Sequence, residues 1–302
     1  MALNRALFTK QLNLGLNTVF GMEYDRYPEQ WRALYSTEQS MKAFEEDVQM
    51  IGFGAAPTKA EGAMINYDSG REGFVSRYVH ETVALAFAIT EEAEEDGLYG
   101  SLGAKYARAL ARSMQQTKEV KGANVFNNAT GTSVGGDGVS LLNGSHPLGG
   151  GGTASNKLAT AADLSETSLE SLLIQISEAV DDRSIPVALS GRKLAVPPQL
   201  VFIAERILKS NLRPGTADND INAMRSMGMI PEGVVVNQRF TDPDQYFILT
   251  DCPDGMKHFV RAPIKKAVEG DFETGNLRYK VRERYSFGFT DWRGVYGSEG
   301  AA

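Results

Sequence analysis

Gly131-Thr132-Ser133-Val134-Gly135 has the spacing of a hydrolase nucleophile elbow. That motif works when a buried strand turns sharply into a helix and presents the serine hydroxyl at the bend. Here Asn127-Asn128-Ala129-Thr130 precede it and Gly136-Asp137-Gly138 follow, so neither strand nor helix stands where the chemistry needs one. A serine, aspartate, histidine order ending at His258 is met trivially in 302 residues. Asp218, Asp220 and Asn222 alternate as at the opening of a calcium loop. Ala223 replaces the required glycine and Met229 stands in place of the bidentate glutamate, so a polar loop capping a helix is expected instead. Gly149-Gly150-Gly151-Gly152 lacks the Gly-Lys-Ser/Thr ending of a phosphate cradle, and no strand feeds it; a flexible loop is expected. Asp242, Asp244, Asp251 and Asp254 sit beside prolines and read as turn residues. His80, His146 and His258 are far apart in sequence, and Cys252 stands alone, which excludes an internal disulfide and any multi-cysteine metal site. Nucleophile, base and oxyanion donors do not converge. No catalytic, cofactor-binding or metal-ligating residue is assigned, and the chain does not read as an enzyme.

The element that dominates the pattern is a helix predicted over 98–129. Leu102, Tyr106, Leu110, Met114, Thr117 and Val120 recur three or four apart and share one side. Lys105, Arg108, Arg112, Gln115, Lys118 and Lys121 fall mainly on the others, so the helix should lean on one sheet and show its basic side elsewhere. Acids at Glu91, Glu92, Glu94, Glu95 and Asp96 lead into it, where negative charge favours a helix N-terminus.

Upstream, residues 1–35 have no steady period, and 1–22 carry Arg5 and Lys10 but no acid. They read as a mobile, partner-seeking arm. Ser36 and Gln39 look like a capping box, with Met41, Phe44, Val48 and Ile51 at helical spacing and Gly52 and Gly54 as the stop. Ala55–Gly73 is small, polar and glycine-dotted and ends in the turn-prone Tyr67-Asp68-Ser69-Gly70, and residues 55–90 together look like the two long arms of a hairpin whose tip is flexible. In its second half Val83, Leu85, Phe87 and Ile89 alternate with alanines, a strand signal.

Downstream, 127–156 is glycine-rich and irregular. Thr167 and Glu170 form a second capping-box candidate, followed by Leu169, Leu173, Ile176 and Val180 on a helix. Lys193–Val196 reads as a strand, Pro197-Pro198 opens a helix lined by Leu200, Ile203, Ile207 and Leu208, and a loop with Pro214-Gly215 follows. Val234–Asn237 and Tyr246–Thr250 are further strands. The clearest strand carries Leu277, Tyr279, Val281, Tyr285, Phe287 and Phe289 on one face, interrupted by Glu283, with Arg278, Lys280, Arg282 and Arg284 on the other. That basic row is either a solvated face or a stripe facing another subunit or nucleic acid. The element order is α+β without regular βαβ alternation.

Bulk properties narrow the class further. The chain is 42% apolar and 23% charged, with a net charge of −7 and no internal repeat. An acidic balance argues against gripping nucleic acid by bulk charge. The longest apolar run, Val83–Ile89, is far too short to span a bilayer, so no membrane partner is expected.

Taken in order, several stretches resemble the major capsid proteins of tailed phages, which have the Hong Kong 97 fold, and in particular the Mu-like head-subunit branch. They are Ala84-Leu-Ala-Phe-Ala-Ile-Thr-Glu-Glu with Glu94-Glu-Asp; Asp137-Gly138, Leu141-Leu142 and Ser145-His146-Pro147 leading through the glycines to Leu164 and Leu169; Leu194-Ala-Val-Pro-Pro-Gln-Leu200 with Ala204, Ile207-Leu208 and Ser210; Val234-Val-Val to Tyr246-Phe-Ile-Leu-Thr-Asp251; and Val281-Arg-Glu-Arg-Tyr-Ser-Phe-Gly-Phe-Thr-Asp-Trp-Arg-Gly. They span about 74–295.

The resemblance implies an N-terminal arm at 1–50 and an extended β-hairpin loop at 51–90 that overlaps a neighbouring subunit. It implies a peripheral domain from 91–184 and 256–302 with 98–129 as spine helix, and an axial domain at 185–255. It implies hexameric and pentameric capsomers of the chain itself, closing an icosahedral shell in the virion around double-stranded DNA, after assembly in the host cytoplasm. The length leaves no room for an N-terminal scaffolding segment, so a separate scaffolding protein, or a removed segment, is expected. A portal, a decoration protein and non-specific DNA contacts are the other implied partners. The alternatives are a cellular nanocompartment shell of the same fold, a tail or connector ring, and more remotely a serine hydrolase using Ser133.

Overall fold

The computed structural model describes residues 5–90, 92, 99–213, 220–271 and 275–301. Helix α1 (Arg5–Tyr24) leads through a 3-10 turn at Trp31–Ala33 to strands β1 (Ser36–Gln39), β2 (Phe44–Ile51), β3 (Arg71–Val79) and β4 (Glu81–Ile89). The long helix α2 (Tyr99–Asn127) follows, then a short ribbon of β5 (His146–Pro147) and β6 (Thr153–Ala154), and helix α3 (Glu166–Ser177). The rest comprises β7 (Gly191–Val196), α4 (Val201–Lys209), α5 (Ala223–Met227), β8 (Val234–Val236), β9 (Tyr246–Thr250), the long β10 (Met256–Gly270) and β11 (Leu277–Phe289), and β12 (Val295–Ser298).

Two four-stranded sheets organise these elements. The first has the order β1-β10-β11-β4, parallel between β1 and β10 and antiparallel otherwise. The second has the order β12-β9-β7-β8, and Tyr246, Phe247 and Ile248 on β9 are all fully buried, so both of its faces are covered. Strand β11 alternates as its sequence demands, with Tyr279, Val281, Glu283 and Tyr285 inside and Arg278, Lys280 and Arg282 outside.

Over the inner face of the first sheet lies α2, and α1 lies on α2. Ala107, Leu110, Ala111 and Met114 of α2 close a small core with Leu16 and Phe20 of α1 and Tyr279 and Val281 of β11. Farther along the helix, Ala123 and Phe126 enter the larger core built around the second sheet, α3 and α4. The sequence-based stripe was therefore displaced. Tyr106 is about half exposed, whereas Gln115 and Lys118, placed on the polar side, point inward. Small residues carry the true contact face because two layers approach this helix closely. Only Glu92 of the acid run falls within the described residues.

Four further expectations need correction. Residues 5–24 form a helix docked on their own chain, tied by Arg112 Nε to Glu23 at 2.6 Å and by the Lys266 ammonium to the Asn17 carbonyl at 3.1 Å. The expected helix at 36–51 is two strands. On β2 the inward residues are Glu45, Asp47 and Gln49 ahead of Ile51, so its packed side is polar and leaves no period-two hydrophobic signal. The hairpin pairs β2 with β3, while β4 belongs to the first sheet as its edge. Residues 295–298 join the second sheet beside β9 rather than returning with 256–289.

A smaller correction concerns α3. Its cap is Ser165, whose hydroxyl accepts from Ser168 N–H at 3.2 Å while Ser168 returns the bond, two residues before the expected pair.

Where β10 begins, its lead-in turn crosses the turn before β12 so closely that a methyl on Gly294 would sit 2.5 Å from the Gly255 Cα. Backbone faces backbone there and neither can yield cheaply. Gly294→Ala is expected to lower unfolding free energy by about 1–3 kcal/mol, measurable by urea denaturation; an unchanged midpoint would show that the turns separate freely.

Candidate assembly surfaces

The residues singled out for chemistry do not converge. Ser133 gives its N–H to the Asn128 carbonyl and lines a hollow of about 410 Å³ whose walls hold no histidine, aspartate or glutamate. The glycines of its motif have a packing reason. A Cβ at Gly135 would meet the Phe289 ring at 2.6 Å, and one at Gly136 would meet the Val75 backbone at 2.6 Å. They let the 131–138 loop lie against β3 and β11.

Asn222 caps α5, accepting from Arg225 N–H and donating to the Ile207 and Ser210 carbonyls; Asp218 and Pro214-Gly215 lie outside the described residues. Gly149 donates its N–H to Asp182, and its carbonyl accepts from the Arg71 guanidinium. Gly151 and Gly152 hold positive φ, so that run is an ordered turn beneath the hairpin. Asp244 N–H bonds Asp242, and Asp251 accepts from Ser190 N–H and Arg192, as turn residues do. Among the described residues no group of three His, Cys, Asp or Glu side chains could hold a metal ion. Burial pushes the Cys252 thiol up to about 12, which makes it a poor nucleophile.

Each histidine has a packing role. His146 bonds Asp137 at 2.6 Å and stacks on Trp292, and His80 bridges Ser40 and Ser286. His258 is wholly buried between Trp31 and Phe287, with ring centroids 4.3 and 4.4 Å away. Burial, and then the charges of Lys118 and Arg32, lower its pKa to about 3. Between that value and the ordinary 6.5 the unfolded chain binds a proton that the folded one does not. The contribution of His258 to stability is full above pH 6.5 and falls by about 1.4 kcal/mol per pH unit toward pH 3. His258→Phe should flatten this part of a stability–pH curve, and an unchanged slope would place its titration elsewhere.

Sequence reasoning missed the groups that hold the hairpin and the N-terminal segment. At the base of the hairpin, Lys257 pairs with Asp47 and, at 2.9 Å, with Asp254. Burial opposes ionisation of Asp47, but hydrogen bonds from Lys257 and Thr290 outweigh it and hold the carboxyl below its ordinary range. Thr290 gives its hydroxyl proton to Asp47 at 2.7 Å, so the Tyr78 phenol donates to Thr290, also at 2.7 Å. Glu119 accepts from Gln30 and Trp31 N–H at 2.7 and 3.1 Å and fixes the 3-10 turn. Apart from Lys257 with Asp254, these pairings connect residues 88 to 243 positions apart, a distance no local pattern reports.

Beyond that base the chain is bare. Residues 52–70 have no regular pairing, and Phe53, Met64, Ile65 and Tyr67 are 64%, 89%, 67% and 94% exposed. Arg183 anchors the segment through Asp68, yet among the described residues nothing covers those four side chains. A monomeric protein seldom leaves such a cluster open, and a contact surface is the usual reason.

A firmly stapled body thus extends a loop whose apolar side chains are uncovered among the described residues. The family model described as phage capsid protein matches residues 74–298, and the chain belongs to that family. It is a structural capsid protein, and its place is the virion. Its fold is shared by the capsid of an empty GTA particle (TM-score 0.56, 12% identity, 91% of this chain and 90% of that one). It is also shared by a virus-like particle from Pyrococcus furiosus (0.53, 10%, 94% and 98%). The procapsid of bacteriophage JBD30 is a third example (0.52, 15%, 99% and 77%). The chain thus has the Hong Kong 97-type capsid fold. No curated protein matches it.

Proposed function

We propose that this chain is a major head subunit whose copies form hexameric and pentameric capsomers and close an icosahedral shell around double-stranded phage DNA. The observation that carries the reading is the 52–70 loop, whose exposed apolar side chains find cover on a sister copy. Each contact is modest, but a closed lattice sums many of them.

In this reading residues 51–90 contain the overlapping loop, 91–184 and most of 256–302 the peripheral domain around α2, and 185–255 the axial domain around the capsomer centre. The N-terminal segment docks on α2 in the single chain. Assembly takes place in the host cytoplasm with a separate scaffolding protein and a portal. Decoration proteins are further candidates. The subunit works without a catalytic step, and Ser133 serves packing. A nanocompartment shell would share the architecture but enclose protein cargo.

Negative-stain electron microscopy of the purified chain tests the proposal. Closed polyhedral particles of uniform size are the expected result. Tubes, fixed rings or persistent monomers under all assembly conditions would refute it.

A further inference from the structure

The first sheet ends on β4, and the outer edge of that strand is open. Its nine residues pair with β11 without a bulge. Among the described residues no other hydrogen bond reaches its main chain. Alternate residues of a strand bond opposite neighbours, so this edge presents a row of N–H and C=O groups with no partner in the described chain.

The other sheet edges are guarded. Strand β1 has four residues, Ser36-Thr37-Glu38-Gln39, all polar and exposed. Strand β8 has only three, and β12 is bridged at Gly297 by Lys157. By contrast β4 carries one charge, Glu81 at its first position, followed by Thr-Val-Ala-Leu-Ala-Phe-Ala-Ile. Proteins blunt a free edge with lysines, prolines, bulges or short length, and β4 uses none of these. Such an edge is suited to the addition of another strand.

The strand that fits best is β4 itself. Val83 and Phe87 are partly buried against the α1–α2 core, and Leu85 between them is 46% exposed. Laid antiparallel about Leu85, two copies overlap over all nine residues. Val83 then stands opposite Phe87 of the second copy, a favourable aromatic and β-branched pair, and Leu85 opposite Leu85. Ala84 meets Ala86, and Glu81 meets Ile89, so no like charges face each other. A slip of one residue would carry the second copy's α2 to the other side of the sheet. In a shell wall every copy turns the same face inward, which excludes that slip. Lys280 and Arg282 sit one strand in, opposite Ala86 and Ala84. Across the pair they remain three strand spacings apart, about 14 Å, beyond the screening length of about 8 Å at physiological salt.

We propose that the β4 edges of two copies pair antiparallel, centred on Leu85, and join their first sheets into one eight-stranded sheet across a twofold axis. The contact is isologous, each copy offering the same strand, as a twofold interface requires. This rests on the capsid reading, which supplies the second copy, and deepens it by naming a contact separate from the 52–70 loop.

Disulfide trapping in a Cys252→Ala background tests the pairing. Directly opposed residues lie about 4.5–5.5 Å apart between Cα atoms, within disulfide reach. One residue away from the axis the two copies of a position are about 8 Å apart, out of reach. After mild oxidation of assembled particles, Leu85→Cys should therefore run mostly as a linked dimer on a non-reducing gel. Ala84→Cys and Ala86→Cys should stay monomeric singly, and Ala84→Cys/Ala86→Cys should link. Intact particles in which Leu85→Cys stays monomeric, or in which Ala84→Cys or Ala86→Cys links alone, would overturn the pairing and leave the capsid reading standing. So would linkage of Leu85→Cys/Ile65→Cys without linkage of Leu85→Cys, because the loop of a sister copy would then occupy the edge. Failure of the unaltered chain to form particles counts against the capsid reading, and the same gel on the concentrated chain then decides the pairing by itself.

Discussion

Lys118→Met is expected to lower the stability of the unassembled chain by about 3–5 kcal/mol, the usual consequence of stranding one member of a buried ion pair. Lys118 reaches inward from α2 to Glu283 on β11 at 3.4 Å, and their side chains are only 11% and 4% exposed. The ammonium also lies over the rings of Trp31 and Tyr285, at 5.0 and 5.2 Å. Burial raises the pKa of Glu283, and the charge of Lys118 offsets this only in part. Without Lys118 the carboxylate has to be neutralised or hydrated inside the fold. Lys118→Met/Glu283→Leu should recover most of the loss, because two apolar groups no longer leave a charge unpaired. Urea denaturation of both variants decides the matter. A single variant within about 1 kcal/mol of the parent, or a double variant no better than the single, would contradict this account of the pair.

The second large effect concerns assembly. Replacing Phe53, Met64, Ile65 and Tyr67 together by serine should leave the isolated subunit as stable as before, since all four are exposed. Shell formation should fail. Burying one such side chain is worth about 1.5–3 kcal/mol, so losing four weakens a single contact by at least about four powers of ten. Sedimentation of the variant under conditions where the parent forms particles measures this directly. Normal particles would show that the loop tip makes no contact of consequence.

Much of the architecture was legible because it is periodic. The expected helix at 98–129 differs from α2 by only a residue or two at each end, and β4, β7, β9 and β11 fall where alternation or apolar runs placed them. Even the single break in the β11 pattern, Glu283, was visible, although its partner Lys118 was not. The ordered resemblance added the family and the capsid role.

What escaped was structure made by distant polar pairing. Strand β2 turns Glu45, Asp47 and Gln49 inward because Ser40, Lys257, Thr290 and Asp182 receive them, and such a strand resembles an exposed helix in one dimension. The glycines at 135 and 136 read as half of a catalytic motif. Their cause, the nearness of Phe289 and Val75, appears only once three segments meet. Helix α1 was hidden for a related reason: among its described side chains only Leu16 and Phe20 are buried in the apolar core, with Val19 and Tyr24 partly buried beside them, and so few positions make a faint period.

The most direct test compares amide hydrogen exchange of 52–70 in unassembled subunits and in assembled particles. Rapid exchange in the subunit and strong protection in the particle is the predicted result, since the loop gains its missing partner only from another copy. Equal exchange in both states would mean that the loop stays bare in the shell, and the shell would have to be held together elsewhere.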